Sequence, residues 1–136
     1  MITPDSSVVI AAIAPWHVAH GPALDALAGS ESCLVAHVAY ESSSALSRMP
    51  EGRRIAATRV FEALNLDFPA EWLTLGGTQA RAALEQAVSS GVRGGALYDA
   101  LIAATARLNG ARLLTADRRA GPVYDAVGAE VEYLPA

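Results

Sequence analysis

Four acidic residues stand at positions from which they could carry out metal-dependent chemistry: Asp5, Glu41, Asp99 and Asp117. Hard divalent cations prefer oxygen ligands, and Mg²⁺ is usually held by one or two carboxylates together with waters and substrate phosphates. Such an ion neutralises phosphate oxygens and acidifies a water for in-line attack. If the fold gathers these four carboxylates, the sequence predicts a phosphodiester-hydrolysing site with Mg²⁺ or Mn²⁺ as its cofactor.

Two of the four acids directly follow predicted strands. Asp5 ends the apolar segment 1–4, and Asp117 comes just after the apolar segment 111–115. In a parallel sheet, ligands bind beyond the carboxyl ends of the strands, so both side chains are expected at one edge. Aspartate is also a common turn residue and helix cap, which leaves a structural role as the alternative for each.

Asp99 lies on the most apolar predicted helix, which spans 98–109. Ile102, Ala103 and Ala106 share its face at the i+3, i+4 and i+7 positions. An ionised carboxylate on a buried helix must be paired, hydrogen-bonded or bound to metal, because burying it bare is costly. The alternative is that the helix starts at Asp99, which would then serve as its N-cap.

Glu41 carries the weakest signal of the four. It falls at the margin of the apolar face of a predicted helix over 38–49. Charges in that position are usually solvated or paired, and Arg48 at i+7 is a conceivable partner. Glu41 is therefore selected only because three other carboxylates accompany it.

Short apolar segments alternate with helical patterns along the chain, which predicts an α/β fold: a small, mostly parallel sheet with helices on both faces. The predicted strands cover 1–4, 32–36, 111–115 and 130–134. The predicted helices cover 6–14, with Ser6 or Ser7 as cap, and 17–28, 38–49, 53–64, 78–90, 98–109 and 118–127. No linker or repeat divides the 136 residues, so a single domain over 1–136 is expected.

The composition excludes several classes of protein. The chain is 52% hydrophobic and 18% charged, which argues against disorder. Its single cysteine, Cys33, permits no internal disulfide and no zinc pair, and is expected to be a buried filler. The N-terminus lacks the pattern of a signal peptide, and no apolar run is long enough to span a bilayer, so we expect a cytoplasmic protein without membrane contact.

The charge pattern bears on nucleic-acid binding. A net charge of −4 argues against a protein that coats nucleic acid by charge alone. All ten basic residues are arginines, and two clusters stand out, Arg48 to Arg59 and the pair Arg118 and Arg119. Local arginine clusters can hold a phosphate backbone, particularly if a cation masks the acids.

For the other polar and aromatic residues, the sequence does not favour a role in a functional site. His17, His20 and His37 lack a third zinc ligand at suitable spacing, and surface positions are favoured. Trp16 and Trp72 could stack RNA bases, although packing is the favoured interpretation. No phosphate-binding or dinucleotide fingerprint occurs, which makes a small-molecule binder the least favoured class.

In four blocks the sequence resembles the PIN-domain ribonucleases of the VapC toxin type, and the resemblance spans essentially the whole chain. The blocks are Pro4-Asp5-Ser6-Ser7-Val8-Val9-Ile10, Val38-Ala39-Tyr40-Glu41, Tyr98-Asp99-Ala100-Leu101-Ile102-Ala103-Ala104-Thr105-Ala106 and Leu113-Leu114-Thr115-Ala116-Asp117. The third block is the most specific. The resemblance implies a PIN-like three-layer α/β/α sandwich.

The resemblance also implies a function: a metal-dependent endoribonuclease that acts on cellular RNA. Asp5 and Asp99 would be the principal metal ligands, and Glu41 and Asp117 would complete the acidic pocket. Ser6 and Thr115 would be polar residues that contact these carboxylates without binding the metal themselves. The implied partners are a VapB-type antitoxin whose tail blocks the pocket, and a second copy of the chain in a homodimer.

The sequence departs from the family pattern in two places. Ser6 and Ser7 replace the usual Thr-Asn after Asp5, which keeps a hydroxyl and loses an amide. Arg119 and Ala120 stand where many relatives have Asp and Phe. The rival interpretation is a catalytically idle PIN-like module that binds RNA or an antitoxin and regulates by occupancy.

Overall fold

A small parallel sheet forms the centre of the protein, as a computed structural model of residues 1–135 describes it. Its strands are β1 (Ile2–Pro4), β2 (Arg112–Thr115) and β3 (Val131–Tyr133), in the order β1-β2-β3. Both pairings are parallel: Thr3 lies opposite Leu113, and Leu114 lies opposite Glu132. The predicted parallel α/β fold is confirmed, with strands slightly shorter than predicted.

Seven α-helices surround the sheet in the described part of the chain. They are α1 (Ser6–Ile13), α2 (His20–Ala28), α3 (Ala36–Ser47), α4 (Ala57–Asp67), α5 (Gly77–Ser89), α6 (Ala96–Leu108) and α7 (Gly121–Val127). A short 3-10 turn, Arg118–Ala120, leads into α7. Within residues 1–135, no helix has both the length and the apolar character needed to cross a membrane.

The two faces of the sheet are buried in two separate cores. Successive residues of a strand point to opposite faces, and β2 illustrates this: Leu113 packs into the larger core and Leu114 into the smaller. The larger core draws its side chains mainly from α3, α4, α6 and α7. The smaller core includes Val8 and Ala11 of α1 and Ala23 of α2. Helices therefore cover both faces of the sheet, as the α/β/α prediction requires.

The predicted strand over 32–36 is wrong as a continuous strand. Ser32 pairs with Ile2, whereas Val35 pairs with Leu73. Each pairing is a single isolated parallel bridge and does not continue along the segment. The backbone N–H of Cys33 donates to the carbonyl of Ile2 at 3.0 Å. Because this segment changes partners after so few residues and then enters α3, it extends the sheet without forming a regular strand. Cys33 is buried, as predicted.

Helices α3 and α6 begin two residues before their predicted starts and α7 begins three residues after, and two further helices, α2 and α4, also begin late. The helix predicted over 17–28 begins only at His20, because a turn follows Pro15 and the Nδ1 of His17 accepts the backbone N–H of Ala19. The helix predicted over 53–64 begins at Ala57. The late starts of α2 and α4 do not touch the four acidic positions.

Candidate active site

Asp5 lies directly after β1 and is the N-cap of α1. Its Oδ1 accepts the backbone N–H of Val8 at 3.3 Å. The predicted cap at Ser6 or Ser7 is therefore wrong, and both serines lie inside the first turn of the helix. That placement leaves the Ser7 hydroxyl available to donate to the same Oδ1 at 2.5 Å.

The second oxygen of Asp5 is held as firmly as the first. Oδ2 accepts the Thr115 hydroxyl at 2.5 Å and the Tyr124 phenol at 2.7 Å. The carboxyl is only 3% exposed, and its loss of water raises the pKa of Asp5, although the hydrogen bonds from its four donors act in the opposite direction. Asp5 is thus a buried acid whose orientation is fixed by donors from α1, β2 and α7 together.

Two of these donors also connect Asp5 to the loop that carries Asp117. The hydroxyl of Ser7 accepts the backbone N–H of Ala116 at 2.9 Å, and that of Thr115 accepts the N–H of Asp117 at 3.0 Å. The Asp117 carboxylate accepts the N–H of Arg119 at 3.0 Å and so caps the turn that leads into α7. The position of Asp117 therefore depends on Asp5 through hydroxyl relays.

Glu41 and Asp99 line one open groove. The Ser6 hydroxyl donates to Oε1 of Glu41, and the Nε2 of His37 lies 3.5 Å from Oε2. Arg48, the partner suggested by the sequence, instead donates its Nε to the Ser44 carbonyl at 3.1 Å. Glu41 is therefore hydrogen-bonded by Ser6 and lies beside the His37 ring at the edge of the groove.

Asp99 lies one turn inside α6 and is not its N-cap. The helix begins at Ala96, with Gly95 in the cap position, so the capping alternative is wrong. Burial is the largest cause that raises the pKa of Asp99 to about 6, followed by the negative charges of Glu41, Asp5 and Asp117. The four candidate carboxylates are therefore close enough for each of the other three to oppose the ionisation of Asp99.

The side chains are not yet gathered around a single point. Glu41 and Asp99 face the groove, Asp5 is buried, and Asp117 lines a neighbouring depression beside Arg118 and Arg119. In residues 1–135, no three carboxylate, imidazole or thiol groups are placed to share one metal ion. The four candidate ligands nevertheless all offer carboxylate oxygens, and three of them oppose the ionisation of the fourth, so their chemistry is the kind that a hard divalent cation prefers.

Three residues that contribute to this site, Ser7, His37 and Tyr124, were not predicted from the sequence. Ser7, not Ser6, contacts Asp5, while Ser6 contacts Glu41. His37 is partly exposed, so the expected surface position holds in part, but its ring stacks on Tyr98 at 5.1 Å and its Nε2 lies 3.5 Å from Glu41. Tyr124 carried one usable signal: a tyrosine in an apolar helix must find a partner for its hydroxyl when it is buried.

Replacing Asp99 by Asn should stabilise the metal-free protein at neutral pH but not in acid. The pKa of Asp99 is about 6 in the folded state and 3.8 in the reference state, so its contribution to stability is complete below about pH 4 and is lost as the pH rises through about 6. A shift of this size corresponds to roughly 3 kcal/mol, which solvent screening of a half-buried group reduces to about 1–2 kcal/mol.

The measurement is thermal unfolding in EDTA at pH 4 and pH 8, with the exposed-site variant Asp67→Asn as control. We expect Asp99→Asn to raise Tm at pH 8 by roughly 3–8 °C and to leave it unchanged at pH 4. An equal shift of Tm at both pH values would show that the ionisation of Asp99 does not destabilise the fold.

Tyr124→Phe should weaken the fold through the loss of a single hydrogen bond to Asp5. The ring is 1% exposed and fills the same space without its hydroxyl. A hydrogen bond contributes about 1 kcal/mol when its acceptor is neutral and about 1.5–3 kcal/mol when the acceptor is charged. Because the bond from Tyr124 lowers the pKa of Asp5, it favours the ionised carboxylate, and the loss in the variant should be larger at pH 8 than at pH 4.

Urea unfolding of wild type and variant at both pH values measures this contribution. Tyr133→Phe is the matched control, because it removes a phenol hydroxyl outside the Asp5 network. If Tyr124→Phe costs no more than Tyr133→Phe, the bond to Asp5 contributes nothing to stability.

Known proteins resemble the chain over nearly its whole length. The profile of the PIN domain matches residues 2–125. Ribonuclease VapC40 of Mycobacterium tuberculosis is 40% identical over 134 residues, which cover 98% of this chain and 99% of the relative.

Solved structures share the fold at lower sequence identity. VapC20 of M. tuberculosis, described as a toxin that cleaves the sarcin-ricin loop, superposes with a TM-score of 0.72 at 21% identity, covering 95% of this chain and 96% of that one. VapBC2 of Rickettsia felis, bound to promoter DNA, gives a TM-score of 0.69 at 16% identity, with 99% of this chain and 100% of that chain covered. The profile match and the 40% identity together establish that the chain belongs to the PIN-domain family, in its VapC branch.

Proposed function

We propose that this protein is a metal-dependent endoribonuclease toxin that hydrolyses phosphodiester bonds of cellular RNA and is neutralised by a cognate antitoxin. The observation that carries the proposal is the raised pKa of Asp99, about 6, which three other carboxylates help to produce. A perturbed acid in an open groove is a frequent property of catalytic sites. The ribonuclease named among its relatives supports the same chemistry.

Asp5, Glu41, Asp99 and Asp117 are the proposed catalytic and metal-binding residues. Asp99 faces the groove and would hold Mg²⁺ or Mn²⁺ together with Asp5 and Asp117. The bound cation would neutralise charge on the scissile phosphate and acidify the attacking water. Glu41, which accepts the Ser6 hydroxyl and lies in the groove with Asp99, is the carboxylate best placed to orient that water and accept its proton.

The reaction adds water to phosphorus and breaks one P–O ester bond, and the departing oxygen takes up a proton. The chain's own contribution is mainly positioning, because the four donors of Asp5 fix a charge that would otherwise turn toward solvent. The relays through Ser7 and Thr115 give Asp117 a defined place relative to Asp5.

We propose a VapB-type antitoxin as the neutralising partner and a homodimer as the assembly, with residues 1–136 acting as one domain in the cytoplasm. Leu84 and Val88 of α5 are more than half exposed, and such apolar side chains are of the kind that a protein partner covers.

Asp99→Asn tests the enzymatic proposal directly. Replacing the carboxylate by an amide keeps the shape and removes the charge that would hold the cation, so cleavage of total bacterial RNA should fall at least about 100-fold, beyond the 10–100-fold typical of outer-shell partners. The assay uses antitoxin-free protein with Mg²⁺ or Mn²⁺, and Asp67→Asn as the charge-matched control.

The same assay separates the enzyme from its rival. Cleavage that continues in EDTA or in Asp99→Asn would refute the metal mechanism. A wild type that binds RNA tightly and never cuts it would favour the idle module.

The arginines, not the net charge, are proposed to hold the RNA backbone. Arg118 and Arg119 line the depression beside Asp117, and Arg53 lies over the Trp16 ring at 5.3 Å. Arg118→Ala with Arg119→Ala, or the corresponding Arg53 and Arg54 double variant, should weaken RNA binding and lower the slope of log Kd against log salt by ~0.7 for each lost contact to a single strand.

The charge-matched control for this experiment is the double variant Arg81→Ala with Arg93→Ala, which changes the net charge equally at exposed sites outside both depressions. Fluorescence anisotropy between 50 and 300 mM salt gives the slopes. An unchanged slope for both cluster variants, or an equal change in the control, would contradict a local phosphate contact.

A further inference from the structure

Two strongly exposed tyrosines share the groove with Glu41 and Asp99. Tyr40 is 76% exposed and Tyr98 is 54% exposed, and both line the same depression between α3 and the start of α6. Single exposed aromatic side chains are ordinary, but a pair beside reactive carboxylates is a surface that could contact a substrate. The proposed hydrolysis gives these rings no role.

The Tyr98 ring is held in place on one side. His37 stacks on it with 5.1 Å between ring centroids and 5° between the planes, and the Nε2 of His37 lies 3.5 Å from the Glu41 carboxylate. A ring fixed in this way loses little conformational freedom when a flat ligand stacks on its open side. Tyr98 is therefore a preformed platform adjacent to Asp99.

The groove also offers a contact for a phosphate group. Arg48 lies in its lining, and its Nε donates to the carbonyl and to the hydroxyl of Ser44, each at 3.1 Å. These bonds hold the guanidinium by one nitrogen and leave the two terminal nitrogens for an anion, the geometry that suits arginine to phosphate.

The size of the groove fits one nucleotide unit. Its volume is about 620 Å³, within the range of ~300–1,000 Å³ for sites that hold small ligands. Unpaired RNA bases are recognised by stacking on aromatic side chains, whereas bases within a duplex cannot be reached in this way. An aromatic platform, an arginine and hydrolytic carboxylates in one groove match an unpaired nucleotide better than any other part of an RNA.

We infer that this groove contains a base-stacking subsite for an unpaired nucleotide next to the scissile phosphate. Tyr98 and Tyr40 stack on the base, and Arg48 contacts its phosphate. The inference rests on the proposed RNA substrate and deepens it, because it assigns to Tyr98, Tyr40 and Arg48 the positioning of one nucleotide beside the carboxylates. Stacking attracts the RNA to a place where Glu41 and Asp99 alone would repel its phosphates.

The test is binding and cleavage of a fluorescent single-stranded RNA octamer by Tyr98→Leu, Tyr40→Leu and Tyr98→Phe. Base stacking is lost in the leucine variants and kept in the phenylalanine variant. From the typical strength of one stacked base, each leucine variant should raise Kd roughly 5–100-fold, whereas Tyr98→Phe should stay within about twofold of wild type. KM should rise in parallel, and kcat at saturating RNA should change little, because the carboxylates are intact.

Phe61→Leu is the matched control, since Phe61 is also 54% exposed and lies outside this groove. A second comparison replaces each nucleotide of the octamer in turn by an abasic one. Wild type should lose affinity at one position, and Tyr98→Leu should lose nothing further there. Circular dichroism on all variants verifies that these exposed substitutions leave the fold intact.

The outcomes separate this inference from the proposed function. If wild type cuts the octamer and the leucine variants bind and cut it equally well, the subsite is refuted while the nuclease stands. If the leucine variants keep RNA affinity but lose the antitoxin, the surface is a protein contact and the subsite is refuted. A wild type that neither binds nor cuts RNA would overturn both proposals.

Discussion

A carboxylate can be buried only where hydrogen-bond donors replace the water it gives up, and Asp5 is where this protein meets that condition. Its donors come from the first turn of α1, the end of β2 and the middle of α7. The donors in β2 and α7 lie more than a hundred residues after Asp5 in the sequence, so the carboxylate is satisfied only when the N-terminal strand, the central strand and the last helix have all assembled. The folding of the sheet and the preparation of the site are therefore one event.

The cost of the site is electrostatic. Asp5, Glu41 and Asp117 each oppose the ionisation of Asp99, and its pKa of about 6 measures that repulsion together with burial. A chain selected for stability alone would replace Asp99 by an amide or a small apolar residue, as the rest of α6 suggests. A carboxylate on a helix made mainly of alanine, leucine and isoleucine departs from the usual rule that buried helix faces are apolar. Such departures are concentrated at functional sites.

Sequence patterns predicted the parts of this structure that depend on local order. Asp5 and Asp117 follow strands, and Asp99 stands out against an apolar helix, so their selection needed only periodicity and strand ends. The hydrogen bond from Tyr124 could not be predicted in this way, because it depends on how α7 docks against β1. The same holds for His37, whose stack on Tyr98 joins α3 to α6. The strand predicted over 32–36 failed for a related reason: its alternation of partners is set by tertiary neighbours, not by β-propensity.

In an acidic protein that binds RNA, the groups that attract the RNA must differ from the carboxylates that the hydrolysis needs. The carboxylates that the hydrolysis needs repel phosphate, and a net charge of −4 gives no compensating long-range attraction. Arginines at the margins can supply local charge, but their attraction weakens with salt. Stacking on a fixed aromatic ring has little dependence on salt and does not oppose the acids, so it can place a nucleotide beside them at physiological ionic strength. His37 lies between the groups that serve these two functions, because its ring stacks on Tyr98 and its Nε2 lies 3.5 Å from the Glu41 carboxylate.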